Sequence, residues 1–213
     1  MLKTLRNTAT LLFVTSLTLA QQDFEKSLDS IQTLDDVTIF FKKNKTVKGK
    51  VIVFNEEKHK TRMAANILSM SVGSKKYFKD APQKTYYKVI EKNEIPYYRV
   101  SYVVLDGNVL SNSEISGIQK TVIQKYNEGY TFIDLAKQYS MDSSKNQGGD
   151  TGWFTIGERP EYFEFVAQND EMEVGFIFNF EDVENKLTYI VVKTHMEKLI
   201  KESKVLKITE PRH

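Results

Sequence analysis

The chain has 213 residues, of which 40% are hydrophobic and 27% charged, a balance that fits one globular domain or two small ones and excludes a disordered or fibrous polypeptide. Its 30 Lys+Arg against 28 Asp+Glu leave a net charge of +2, which excludes the broad basic footprint of a general nucleic-acid binder. With no cysteine there is no disulfide framework, thiolate metal site, catalytic thiol or lipid-modified cysteine, and the only histidines, His59, His195 and His213, are too few for a His-rich metal cluster.

Lys3 and Arg6 precede the mostly apolar stretch Leu11 to Ala20, which ends in a small residue before Gln21 and Gln22. Basic region, short apolar region, small residue: this is the order of a secretory signal with cleavage after Ala20, and the stretch is too short to span a bilayer. An amphipathic leading helix is the alternative, because threonines and a serine interrupt the run. Loss of Lys3 and Arg6 with residues 1–20 takes the net charge from +2 to 0. The expectation is an exported protein, in a periplasm or cell envelope.

Residues 21–96 read as a small α/β region of unassigned role. Thr33 with Asp36 marks a helix start, and Val37, Phe40 and Phe41 give that helix an apolar side. Lys50 to Phe54 predicts a strand, and Glu56 to Met70 a helix with Met63, Ile67 and Met70 on one face. Thr85 to Ile90 and Tyr97 to Leu105, rich in Tyr and Val, predict adjacent strands separated by Asn93 and Pro96. The basic run over residues 40–62 reads as a solvated face rather than a site for an acidic surface or lipid head group, and His59 within it as solvent-facing. Asn44-Lys45-Thr46 matches a glycosylation acceptor, relevant only in a eukaryotic secretory pathway.

The second half is more legible. Ser111 with Glu114 predicts a capping box for a helix carrying Ile115, Ile118, Val122 and Tyr126 and stopping at Gly129. Thr131 with Asp134 opens a shorter helix with Phe132, Leu135, Ala136 and Tyr139 on one face, followed by Ser140 to Ser144. Gly148-Gly149-Asp150-Thr151-Gly152-Trp153-Phe154 predicts a tight turn into a buried strand. Pro160 suits the first turn of a helix carrying Phe163 and Val166, and Phe176 to Phe180 and Leu187 to Thr194 are the remaining strands. The order predicts an α+β arrangement around one small sheet.

Phe132 to Ser140, Asp142-Ser143-Ser144 and Gly148 to Phe154, with Tyr98 to Leu105 upstream and Tyr189 to Lys193 downstream, together resemble a parvulin-type peptidyl-prolyl cis-trans isomerase domain of the exported bacterial type. The resemblance covers residues 97–195, with residues 196–213 left as a C-terminal extension. It implies a small antiparallel sheet flanked by helices, no metal or cofactor, and unfolded or proline-containing polypeptides as partners. By the same resemblance, Phe154 and Phe163 form the proline-ring pocket, with Thr151 where a leucine or methionine is usual and Arg159 where a methionine closes the rim. That substitution implies a more polar rim or one that accepts an acidic neighbour. Asp142 takes the position of the central polar residue beside the twisted amide, with a turn-capping role as its alternative. The family's two facing histidines are expected at Tyr102 and Ile190; Tyr102 keeps a hydroxyl for the network around Asp142, whereas Ile190 offers no hydrogen bond. His195, five residues on, is expected on the opposite face. Asp106 to Ser113 holds no Lys or Arg, so no phosphopeptide preference is expected. Trp153 reads as core packing, with peptide contact as the alternative. Two functional readings stay open: an isomerase assisting the folding of exported proteins, or a catalytically weak or inactive peptide-binding chaperone module; a purely structural envelope domain is a third.

Overall fold

The computed structural model describes residues 24–80 and 83–209, so the expected signal segment 1–20 lies outside the described residues. The chain divides into two compact units, residues 1–94 with 200–213, and residues 95–199. In the first unit, α1 (Leu34–Lys43) starts at a full capping box in which the Thr33 side chain accepts from the Asp36 amide and the Asp36 carboxylate accepts from the Thr33 amide. It is followed by β1 (Lys48–Asn55), α2 (Arg62–Ser69), β2 (Lys75–Asp80) and β3 (Gln83–Tyr97), and the chain returns at its end as β7 (Lys198–Thr209).

The four strands lie in the order β1-β7-β3-β2, with β1 antiparallel to β7 and β2 antiparallel to β3. Strand alternation sends Tyr86, Ile90, Leu206 and Ile208 to α1, and Tyr87, Val89 and Val205 to α2. Of residues 196–213, expected as an extension, Lys198–Thr209 therefore form a strand of the first unit's sheet. Two further expectations change. The helix expected from Glu56 begins only at Arg62, because the Asn55 side-chain oxygen accepts from the amides of Glu57 (2.9 Å) and Lys58 (3.1 Å) and holds those residues in a turn. The strands expected as neighbours around Pro96 are in different sheets: β3 runs through Asn93 and Pro96 to Tyr97, and the next strand pairs elsewhere.

That next strand, β4 (Val100–Asp106), opens the second unit's sheet. After it come α3 (Asn112–Asn127), α4 (Phe132–Tyr139), a 3-10 turn (Ser143–Gln147), α5 (Glu161–Gln168), β5 (Ile177–Asp182) and β6 (Leu187–Lys193). The sheet order is β4-β6-β5, antiparallel throughout, so this unit is the expected α+β arrangement. One face of the sheet is aliphatic: Val103, Leu105, Ile190 and Val192 pack on Ile115 and Val122 of α3 and Phe132, Leu135 and Ala136 of α4. The other face carries Val100 and Val191, packed with Tyr98, Phe154, Phe163, Val166 and Ala167. The glycine segment lies along β4, where Gly149 accepts from the Tyr102 amide (2.9 Å) and Phe154 and Tyr98 exchange both backbone bonds (2.8 and 2.9 Å).

Candidate active site

The site begins where α4 ends. Ser140 caps that helix, its hydroxyl accepts from the Val104 amide (3.1 Å), and the Met141 amide donates to the Val104 carbonyl (2.9 Å). These two bonds fasten the segment to β4 and bring Asp142 beside Tyr102. One oxygen of the half-buried Asp142 carboxylate accepts from the Tyr102 hydroxyl (2.8 Å). The other accepts from the Ser140 hydroxyl (3.0 Å), the Ser144 amide (3.1 Å) and the Ser144 hydroxyl. Asp142 is thus both the cap of the 3-10 turn and the centre of a hydroxyl network, so the turn-capping role and the network role expected as alternatives coexist.

Gly149 makes this possible. Its φ is 74°, and a Cβ there would overlap the Tyr102 carbonyl oxygen, so only glycine lets the loop lie this close to the strand that carries Tyr102. Asp150 holds the loop's edge by a double bond pattern to Arg99, including Arg99 Nε to Asp150 Oδ1 at 2.8 Å, and this guanidinium keeps its carboxyl below the usual carboxylate range.

Around the network is an aromatic patch. Tyr102 packs on Phe163 (ring centroids 5.0 Å) and on Tyr189 (5.8 Å), while Tyr162 meets Phe163 (4.9 Å), Tyr189 (5.0 Å) and, stacked, Phe180 (3.9 Å). Burial is the main cause that pushes the Tyr102 and Tyr162 phenols upward; for Tyr162 the neighbouring Tyr189 hydroxyl adds to it. Both therefore remain neutral hydroxyl donors across the physiological range.

The residues expected at the site separate into three groups. Tyr102, Asp142 and Phe163 come together, with Phe154 in the same cluster; Phe163 is 5% and Phe154 1% exposed, so they form its floor. Thr151 is buried and its hydroxyl bonds with both the amide (3.2 Å) and the carbonyl (2.9 Å) of Val100, which makes its side chain a clasp on β4. Arg159 is exposed at the start of α5 and donates from its guanidinium to the Thr151 carbonyl (2.6 Å). Ile190 is a correction. It pairs with Val103 and is fully buried in the aliphatic face, so it cannot face Tyr102. Successive residues of a strand point to opposite faces, and the residue on the Tyr102 side is Tyr189. The side chains that face each other on this side of the sheet are therefore two tyrosines, Tyr102 and Tyr189.

The sequence reading missed Tyr189, Tyr162, Ser140 and Ser144. The signal for Tyr189 was the alternation of Tyr189 with Val191 against Ile190 with Val192. His195 lies beyond β6, exposed, its ring against Trp153 (5.2 Å). Trp153 is half-buried, with Lys198 Nζ 5.4 Å from its ring.

Residues 85–196 match the family model described as the PPIC-type PPIASE domain. Among curated proteins, the chain is 30% identical over 110 residues to foldase protein PrsA 1 of Bacillus cereus, covering 50% of this chain and 33% of that one. It is 29% identical over 123 residues to chaperone SurA of Vibrio parahaemolyticus, covering 52% and 28%. The chain thus spans about a third of the length of these relatives. Among solved structures, a PrsA peptidylprolyl isomerase from Bacillus anthracis is 29% identical with a TM-score of 0.39, covering 49% of this chain and 44% of that one. The matched segment is more than half of the sequence and contains β4, the Asp142 turn, the glycine segment, α5 and β6, and the chain belongs to the PPIC-type peptidyl-prolyl isomerase domain family.

Proposed function

We propose that this chain is a peptidyl-prolyl cis-trans isomerase acting on Xaa-Pro bonds of unfolded or partly folded exported polypeptides. Rotation about such a bond crosses a barrier of about 18–20 kcal/mol because amide resonance must be broken, and uncatalysed it takes tens to hundreds of seconds. No covalent bond changes, so a catalyst needs an apolar seat for the proline ring and fixed polar groups that suit the twisted amide better than either planar form.

The observation that carries the reading is the Asp142 carboxylate, which accepts from the hydroxyls of Tyr102, Ser140 and Ser144 beside the Phe163 ring. Hydroxyls held in advance by one carboxylate need no reorganisation as the amide twists, and Phe163 with Phe154 offers the proline ring an apolar floor. The reacting groups are side chains throughout, and the chemistry calls for no metal or cofactor. The basic, apolar and small-residue order of residues 1–20 supports export to a periplasm or cell envelope.

The test is exchange NMR on Xaa-Pro peptides with the purified chain and its Phe163→Ala variant. The reading expects faster cis-trans exchange with the native chain and loss of that acceleration in the variant. Unchanged exchange with a folded protein would refute it, and peptide binding in the same spectra would then identify a binding module without catalysis.

A further inference from the structure

The described residues hold two arginines beside the glycine segment, and their surroundings differ. Arg99 is matched by Asp150, whose two carboxylate oxygens accept from its Nε and Nη2. Arg159 donates to the Thr151 carbonyl (2.6 Å), and among the described residues no carboxylate lies within ion-pair distance of its guanidinium. The acids nearest in sequence are engaged otherwise. Glu164, buried in α5, accepts from the amides of Gly157 (2.6 Å) and Arg159 (3.4 Å), and Glu158 accepts from the Thr155 amide (3.1 Å). These carboxylates hold the turn that presents Arg159 while leaving its charge unneutralised.

The position of that charge matters. One guanidinium nitrogen is pinned to the loop that carries Thr151 and Phe154, and Pro160, the next residue, accepts from the Phe163 amide (3.0 Å). The cation is therefore tied, front and back, to the segments that supply the aromatic floor. A guanidinium with one edge anchored keeps a second edge for a planar carboxylate.

We propose that Arg159 makes the site select substrates with a carboxylate side chain next to the proline. This rests on the isomerase reading and names the substrate class within it. A single cation with no second Lys or Arg among the contacts that hold it suits a monoanionic carboxylate better than a phosphate dianion, so Asp or Glu is the assigned neighbour.

The experiment compares peptides that differ only in the residue flanking proline, before it or after it: Glu, Gln, Lys or phosphoserine. Exchange spectra give the acceleration for each. Native protein is expected to favour Glu over Gln by about two- to fivefold, the size of a partly exposed ion pair, with the preference shrinking between about 0.02 M and about 0.5 M salt. In Arg159→Gln, which keeps an N–H donor for Thr151, the ratio is expected to approach one, and in Arg159→Glu to favour Lys. A purely structural tie between Arg159 and Thr151 predicts no such inversion. Equal Glu and Gln rates in the native protein, or a Glu preference that survives Arg159→Glu, would overturn the proposal, and phosphoserine outranking Glu would overturn the carboxylate assignment. If no peptide is accelerated, the isomerase reading fails separately, and the shift titrations in the same spectra still report whether Glu binds tighter than Gln.

Discussion

The two faces of the β4-β6-β5 sheet are built from alternate residues of the same strands, yet they do different things. Val103, Leu105, Ile190 and Val192 meet α3 and α4 in a mainly aliphatic layer, while Tyr102 and Tyr189 on the reverse meet Phe163, Tyr162 and the Asp142 network. Each strand residue therefore serves either packing or the site, and a shift of one position exchanges the two roles. The aliphatic face fixes β4 and β6 relative to each other; the aromatic face inherits that rigidity as the placement of its hydroxyls.

Perturbing each face separately sharpens this contrast. The largest effect is expected on the aliphatic side, where Leu135→Ala leaves a cavity under the sheet and costs about 2–5 kcal/mol in urea unfolding, with the folded fraction still catalysing exchange. On the aromatic side, Asp142→Asn turns an acceptor of four bonds into a mixed donor and acceptor. A charge-assisted bond contributes about 1.5–3 kcal/mol, so acceleration of exchange should fall by about tenfold or more, with the unfolding midpoint read alongside to separate the effect from stability. A smaller change belongs at the far end of α3, where Ser111→Ala removes a capping-box hydroxyl; a loss of about 1 kcal/mol in stability with unchanged exchange rate is expected.

The smallest effect concerns pH. Tyr102 and Tyr189 face each other here, no imidazole lies in the network among the described residues, and the Tyr102 and Tyr162 phenols lie above their ordinary value of 10.0. Groups raised in the folded state favour folding below their unfolded value and lose that contribution as pH rises through the folded one, so the hydroxyl array should stay intact to about pH 10. Exchange rates should be flat between about pH 6 and pH 9, whereas Tyr189→His should introduce a titration near about 6.5. A native profile with an inflection near neutrality would place an imidazole in the site and contradict the geometry.

Local signals were the ones legible in the sequence. The boxes at Thr33 with Asp36 and Ser111 with Glu114 were readable because both partners lie within one turn, and the same holds for the Asp142 turn. What was not legible depends on distant pairing. That residues 198–209 enter the first unit's sheet follows from their match to β1, some 150 residues earlier (Asn55↔Glu202), which no local pattern announces. The choice between Tyr189 and Ile190 needed the register of β6 on β4: each is flanked by residues able to fill a strand, and only the pairing of Val103 with Ile190 decides which one turns inward. Asn93 and Pro96 suggest a connection between two neighbouring strands, but both lie within β3, Pro96 one residue from its end, where a residue without an N–H is tolerated.

The proposed isomerase activity depends on the Tyr102 hydroxyl held on Asp142. Tyr102→Phe tests it directly, since it keeps the ring against Phe163 and deletes only the bond to Asp142. In exchange NMR on a single Xaa-Pro peptide, acceleration is expected to fall by about tenfold with peptide affinity retained. Acceleration equal to that of the native chain would show that the hydroxyl network takes no part in rotation and would contradict the claim.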